Sequence, residues 1–255
     1  MGVRKLYVLP LGFLNHDIGI LLDGKSGPIV SPMVSFLMET DDGWVLYDCG
    51  ADPDVVEDPV NIWRGIIKIV KPKIEPSDKI VHRLKEINLE PDDIDYVVAS
   101  HLHLDHAGGL RFFEKSKIIV HRDEYRFAYS PHPYFKSAYK LKDFDYPSLN
   151  WTFVEGDQVL VPGVTIVLTD GHSPGHLSLV VDLEKGKTVI LAGDAIPLQA
   201  NLDKMILSGT TTNPIAAYQS MLRLKAIADR SGGEIWPNHD IELWEKLKKS
   251  PDFYV

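Results

Sequence analysis

The stretch Ser100-His101-Leu102-His103-Leu104-Asp105-His106-Ala107-Gly108-Gly109 places three imidazoles and one carboxylate within six consecutive positions. It follows Tyr96-Val97-Val98-Ala99, an apolar run that reads as a strand. Extended backbone continuing past that strand would turn His101, His103 and Asp105 to one side and Leu102 and Leu104 to apolar packing on the other. His106 breaks the alternation. Ala107-Gly108-Gly109 supply small, φ-tolerant residues for a sharp turn that lets Asp105 and His106 converge. Imidazole and carboxylate donors at this density suit divalent metal ions, and the four divide into two half-sites. Two such ions, about 3.5–4 Å apart, lower the pKa of a water between them, polarise a carbonyl or phosphoryl oxygen and stabilise the leaving oxygen. Hydrolysis by this route needs no serine or cysteine nucleophile, and no nucleophile motif is present.

Four donors are too few for two closed coordination spheres, so others are expected at further strand ends. Three segments offer them: Asp170-Gly171-His172-Ser173-Pro174-Gly175-His176 after VTIVLT, Gly193-Asp194-Ala195 after TVILA, and Asn238-His239-Asp240 after EIW and Pro237. Thiolates are excluded as a ligand set, because Cys49 is the only cysteine; it reads as a small buried hydrophobe. Asp48, which ends the WVLYD run, is expected behind the ligands, orienting a histidine through its second nitrogen. His82, His121 and His132 have no ligand context, and His16 reads as a surface or capping residue, with a place at the pocket mouth as the other reading.

The elements that would carry these residues are short. Strands are expected at Leu6–Leu9, Val34–Met38, Trp44–Tyr47, Tyr96–Ala99, Ile118–Val120, Val164–Leu168, Leu177–Val181 and Thr188–Leu191. Helices are expected over Ser77–Ile87, with Ser77 as N-cap, and from Asn213 and Pro214 to about Asp229, before Gly232-Gly233. Strands flanked by helices in both halves imply an α/β protein, two sheets packed face to face with helices outside. The proline-punctuated stretch 52–76 contains VNIWRGIIKIV and reads as a buried helix, with a pocket lid or a homodimer contact as the other readings.

The order HxHxDH, distant His, Asp, His resembles the metallo-β-lactamase superfamily of dinuclear hydrolases. The runs KLYVLPLG, SPMVSFLMETDDGWVLYDCG, HLHLDHAGG, EGDQVLVPGVTIVLTDGHSPGHLSLVV and NHDIE are similar, across nearly the whole length, to its N-acyl-homoserine lactone lactonases. That resemblance implies an αβ/βα sandwich of two facing mixed sheets, a single domain over 1–255, and two divalent ions, zinc before iron, cobalt or manganese. It implies His101, His103 and His176 on one ion, Asp105, His106 and His239 on the other, and Asp194 bridging. His172, four residues before His176, reads as lying behind the ligands or at the pocket rim, with ligation in place of His176 as the other reading. The implied reaction is the opening of a lactone ring by a metal-bridging hydroxide, with Asp105 or Asp194 passing the proton to the leaving alkoxide. Those lactonases commonly carry, three residues past the bridging aspartate, a tyrosine that contacts the lactone carbonyl; here that position is Pro197. Phe13, Leu14, Met33, Trp63, Ile67, Ile196 and Pro197 are candidates to line an apolar acyl pocket.

The partner is thus expected to be a small lactone or ester, with thioester (hydroxyacylglutathione-like) or phosphotriester hydrolysis as the alternative. A net charge of −9 over 255 residues opposes nucleic acid as partner, and with it an RNA-processing phosphodiesterase. No apolar run approaches the roughly 18 residues of a membrane span, and Pro10 and Gly12 interrupt the N-terminal apolar run, which reads as a strand, not a signal peptide. A cytoplasmic protein is the expectation. A diiron oxidoreductase would require a flavin domain, and a non-catalytic metal binder would not be expected to keep a full ligand set.

Overall fold

A computed structural model describes residues 2–255. In chain order its strands are β1 (Lys5–Asp17), β2 (Pro28–Thr40), β3 (Gly43–Tyr47), β4 (Lys71–Lys73), β5 (Tyr96–Val98), β6 (Lys117–His121), β7 (Asn150–Val154), β8 (Gln158–Val161), β9 (Val164–Leu168), β10 (Leu177–Asp182), β11 (Thr188–Gly193), β12 (Glu234–Pro237) and β13 (Phe253–Tyr254). They form two sheets, ordered β13-β1-β2-β3-β5-β6-β7, with β4 also on β1, and β12-β11-β10-β9-β8. Both are mixed: β3, β5, β6 and β7 run parallel in the first, and β11 and β12 in the second, beside antiparallel neighbours.

Side-chain alternation along the strands sorts the apolar residues into layers. Leu6, Val8, Phe36, Val45, Tyr47 and Val98 of the first sheet meet Ile166, Leu177, Leu179, Leu191 and Trp236 of the second in one core. The Tyr47 hydroxyl donates across it to the Leu177 carbonyl at 2.7 Å. The intervening residues Leu9, Leu37, Leu46, Val97 and Ile118 face outward onto Ile80, Leu84, Trp63 and Phe113. On the far side of the second sheet, Ile190 and Ala192 receive Met221 and Leu224 from the Pro214–Ser231 helix. The result is the αβ/βα sandwich. Among the described residues, no helix is long and apolar enough to cross a membrane.

All eight expected strand runs are strands, but β1 extends far beyond Leu9. Pro10 and Gly12 do not end it, because the β1–β2 register shifts between Pro10 and Phe13 in a bulge and Gly12 takes φ +96°, a conformation open to glycine. The extension carries Leu14 and His16 to the far end of the sheet. The Asn213 side chain caps its helix by accepting from the Ala216 N–H at 3.2 Å, as expected. Ser77 does not cap: it lies in a 3-10 turn, Pro76–Asp78, and the helix proper is Ile80–Glu86 with no side-chain cap. Nor is 52–76 a continuous buried helix. It divides into a 3-10 turn at Pro53–Val56, one helical turn at Pro59–Trp63, a second 3-10 stretch at Arg64–Lys68 and β4, with Arg64 at φ +55° interrupting the helix. Trp63 anchors the segment in the core while Val60 and Ile69 remain exposed.

Candidate metal centre

The ends of β5, β9, β11 and β12 deliver the donor-bearing loops to one edge of the sandwich, where parallel strands conventionally place their sites. After β5 the chain leaves extended geometry, and the His106 N–H closes a turn onto the His103 carbonyl at 3.0 Å. Leu102 and Leu104 enter the core. Gly108 does not adopt a positive φ; its role is close approach, because a Cβ there would collide with the Asp52 backbone nitrogen. The turn thus turns His101, His103, Asp105 and His106 toward a common point.

In one half of the centre, His101 Nε2 lies 2.9 Å from His103 Nδ1, and His172 Nε2 lies 3.2 Å from the same atom. Donors at 2.0–2.1 Å from a tetrahedral ion are about 3.3 Å apart, so three nitrogens meeting this closely match one ion's coordination sphere. Burial first, and neighbouring imidazoles second, hold His101 and His103 well below the usual histidine range. They are neutral and keep a lone pair to donate. In the other half, Asp105 Oδ2 stands 3.7 Å from His106 Nε2 and 3.9 Å from His239 Nε2. Asp194 lies between the halves: its Oδ1 is 3.1 Å from His239 Nε2 and 3.5 Å from His106 Nε2, and its Oδ2 is 3.3 Å from His172 Nε2. One oxygen toward each half is the geometry of a bridging carboxylate.

The donor set fits divalent ions on a further ground. His106 Nε2 and Asp194 Oδ1 are buried without a hydrogen-bond partner, a costly state that a cation at this point would remove. The same excess of unscreened carboxylate is felt in the titration of the group: burial opposes charge on His106, yet Asp105, Asp194 and Asp48 carry it up to about 10. Burial likewise opposes the charge of Asp194, but His239, His106 and His172 hold it well below the usual carboxylate range.

Behind the donors, Asp48 stands where expected. Its carboxylate accepts from the Ser100 N–H at 2.7 Å and the Ser100 hydroxyl at 2.8 Å, and holds His106 Nδ1 at 2.8 Å. These contacts secure a non-glycine residue at φ +61°. His239 Nδ1 donates to the Pro32 carbonyl at 2.9 Å. Cys49 is buried and its thiol is pushed far up by burial, as expected of a small hydrophobe.

Of the two histidines weighed for the third place beside His101 and His103, the structure brings His172 there and not His176. His172 joins His101 and His103, whereas both nitrogens of His176 are engaged elsewhere: Nδ1 with the Thr169 hydroxyl at 2.8 Å, and Nε2 as acceptor of the Asp194 backbone N–H at 3.0 Å. Burial drives His176 down to about 3, so Nε2 stays an acceptor. The reason is register. Leu177 pairs with Leu168, so His176 is pinned at the base of the β9–β10 connection, while His172 sits near its tip and reaches the cluster.

A cavity of about 490 Å³ opens over the centre. Leu14 lines it, but the other candidate wall residues do not. Phe13 points to the opposite face of β1 and packs edge-on against Trp244; Met33, Trp63 and Ile196 are buried in cores; Ile67 packs against a core; and Pro197 is buried, its carbonyl accepting the His239 N–H at 3.0 Å. The walls come instead from Ile66, Ile69 and Val70 of the 52–76 segment, and from Tyr134, Phe135 and Ala138. That placement makes part of 52–76 a wall of the cavity. His16 takes the second of its two readings: it is buried, lines the cavity and bonds through Nε2 to the Ser31 hydroxyl at 2.7 Å. His82, His121 and His132 do not join the centre. Glu124, Tyr139 and Thr169, which contact the ligand loops, carried no spacing signal in the sequence.

Residues 30–233 match the family model of the metallo-beta-lactamase superfamily. The chain is 33% identical over 260 residues to the N-acyl homoserine lactonase AttM of Rhizobium radiobacter, covering 98% of each, and 35% identical over 260 residues to the N-acyl homoserine lactonase AiiA of Bacillus thuringiensis subsp. kurstaki, covering 99% of this chain and 100% of the relative. Its fold superposes with a TM-score of 0.91, at 33% identity and full coverage of both chains, on an N-acyl homoserine lactone hydrolase solved with the product N-hexanoyl-L-homoserine at its catalytic metal centre. The chain belongs to the metallo-beta-lactamase superfamily, within the group that contains the N-acyl homoserine lactonases.

Proposed function

We infer that this protein is a metal-dependent hydrolase that opens the ring of N-acyl-homoserine lactones, working as a single domain with two divalent ions, zinc foremost. The observation that carries this reading is Asp194, whose two oxygens face two separate groups of donors at the floor of an apolar-walled cavity. His101, His103 and His172 would hold one ion, Asp105, His106 and His239 the other, with Asp194 shared. Bound ions would supply Lewis acidity toward the lactone carbonyl and a water acidified toward neutrality.

The chain's own groups do the rest. Asp48 and the Pro32 carbonyl fix the ring orientations of His106 and His239 through their second nitrogens. Asp105, partly exposed to the cavity, and Asp194 are the carboxylates placed to move a proton to the leaving alkoxide. The walls formed by Ile66, Ile69, Val70 and Phe135 suit an acyl chain and exclude water from it. Pro197 brings no hydroxyl to the carbonyl; Thr210 and Tyr134 are hydroxyl-bearing residues on the cavity wall. A phenol hydrogen bond contributes about 0.5–1.5 kcal/mol, or roughly 2- to 13-fold in rate, so its loss weakens the reaction without abolishing it.

The test is a panel of long- and short-chain acyl-homoserine lactones, simple γ- and δ-lactones, a thioester and a phosphotriester, assayed on one sample of measured metal content. Acyl-homoserine lactones should give the highest kcat/KM. No lactone turnover by a two-metal sample that hydrolyses the thioester or phosphotriester would overturn the lactonase reading.

A further inference from the structure

Glu124, on the Arg122–Tyr129 helix, is fully buried and lies outside the donor set. A carboxylate at such depth is costly unless donors surround it, and here the donors come from three separate segments. Its Oε1 accepts the Leu102 N–H at 3.0 Å and the Tyr139 hydroxyl at 3.0 Å, and its Oε2 accepts the Gly175 N–H at 3.3 Å. Leu102 separates His101 from His103. Gly175 belongs to the loop that carries His172. Tyr139 sets its ring edge-on to His103, centroids 4.6 Å apart, and forms a β-bridge with it. The close approach depends on Gly175, where a Cβ would stand 2.6 Å from the Glu124 nitrogen.

We propose that Glu124 is the positioning residue of the three-histidine half of the centre, one carboxylate setting the separation between the loop of His101 and His103 and the loop of His172. The proposal rests on reading those three histidines as a metal site. His106 and His239 are held by Asp48 and the Pro32 carbonyl instead, so the effect of Glu124 falls on one ion and not the other. Glutamine at 124 preserves size and can offer its one oxygen to Leu102 and Tyr139. Its NH2 then faces the Gly175 N–H, donor to donor, and the His172 loop is released.

The experiment uses full-length protein stripped of metal, titrated with zinc against a chromophoric chelator to give two dissociation constants, with His172→Ala identifying the one that belongs to the three-histidine half. In Glu124→Gln that constant should rise about 10- to 100-fold while the other stays within threefold, and the d–d spectrum of the cobalt-loaded protein should change. Tyr139→Phe, which keeps the charge and both N–H contacts, should raise the same constant about 3-fold and decides the matter if Glu124→Gln does not fold. Both constants unchanged beside a lowered Tm would show a purely structural residue and overturn the proposal, as would equal weakening of both. A parent protein that takes up fewer than two zinc ions overturns the metal reading itself.

Discussion

At the floor of the cavity, His101, His106 and His239 each have the nitrogen facing away from the centre held, by Ser100, Asp48 and the Pro32 carbonyl, and all three rings are buried. At the mouth, Ile69 and Tyr134 are 57% and 75% exposed and sit on short turns and loops. The mouth segments are tied to each other by polar contacts at their bases, Lys140 to the Trp63 carbonyl at 3.0 Å and an ion pair between Lys142 and Asp52. The floor is therefore over-determined, and a change there should alter whether reaction occurs. The mouth is only edge-anchored, and a change there should alter which substrate is favoured.

The largest effect is expected from Asp194→Asn, which keeps shape but removes the charge that would offset repulsion between two bound dications. Metal content by elemental analysis should drop below two, and kcat/KM should fall by more than about 100-fold, beyond the loss typical of a residue behind the ligands. Occupancy and rate within twofold of the parent would break the bridging assignment. Next comes the pair that separates ligand from support. His172→Ala should leave about one ion per chain, whereas His176→Ala should retain two and lose about 10-fold in rate through a displaced Asp194 backbone. The reverse pattern would return His176 to the ligand set.

At the mouth, Ile69→Ser and Tyr134→Ala should raise KM for a decanoyl lactone about 3- to 10-fold, from partial loss of apolar contact, with kcat and the butanoyl substrate within twofold. Equal effects on both chain lengths would show that these residues serve the floor. The smallest effect concerns Asp143, beside Asp52 where the mouth segments meet. Both its carboxylate oxygens are buried without a partner, and burial, then the neighbouring Asp52 charge, raise it from 3.8 to about 8. The folded state favours its neutral form, so the stability this form contributes is full below about pH 4 and is lost as pH rises toward 8. Asp143→Asn, which does not titrate, should gain Tm over the parent progressively between those limits. A gain independent of pH between those limits would show that folding does not raise the Asp143 pKa.

The difference between floor and mouth also marks how far the chain could be read without coordinates. His101, His103, Asp105 and His106 are legible because one short segment holds both the donors and the turn that gathers them, and Asp194 and His239 because each follows a strand-like run. Asp48 is legible for the same reason. The mouth is not: Ile66 and Val70 look like core residues, and Met33 and Ile196 like wall residues, since side-chain chemistry is the same in both settings. Only the bulge at Pro10–Phe13 tells which β1 residues reach the cavity.

What the amino-acid order by itself determined is the kind of chemistry and the layered α/β fold, because donor type, strand alternation and helix capping act over a few neighbouring residues. What only the tertiary structure decided is which of two histidines four positions apart stands beside His101 and His103. His172 and His176 are equivalent as imidazoles; the Leu168–Leu177 pairing and the Asp194 N–H occupy one and leave the other free. That choice rests on contacts between residues far apart in the chain, which no local spacing encodes.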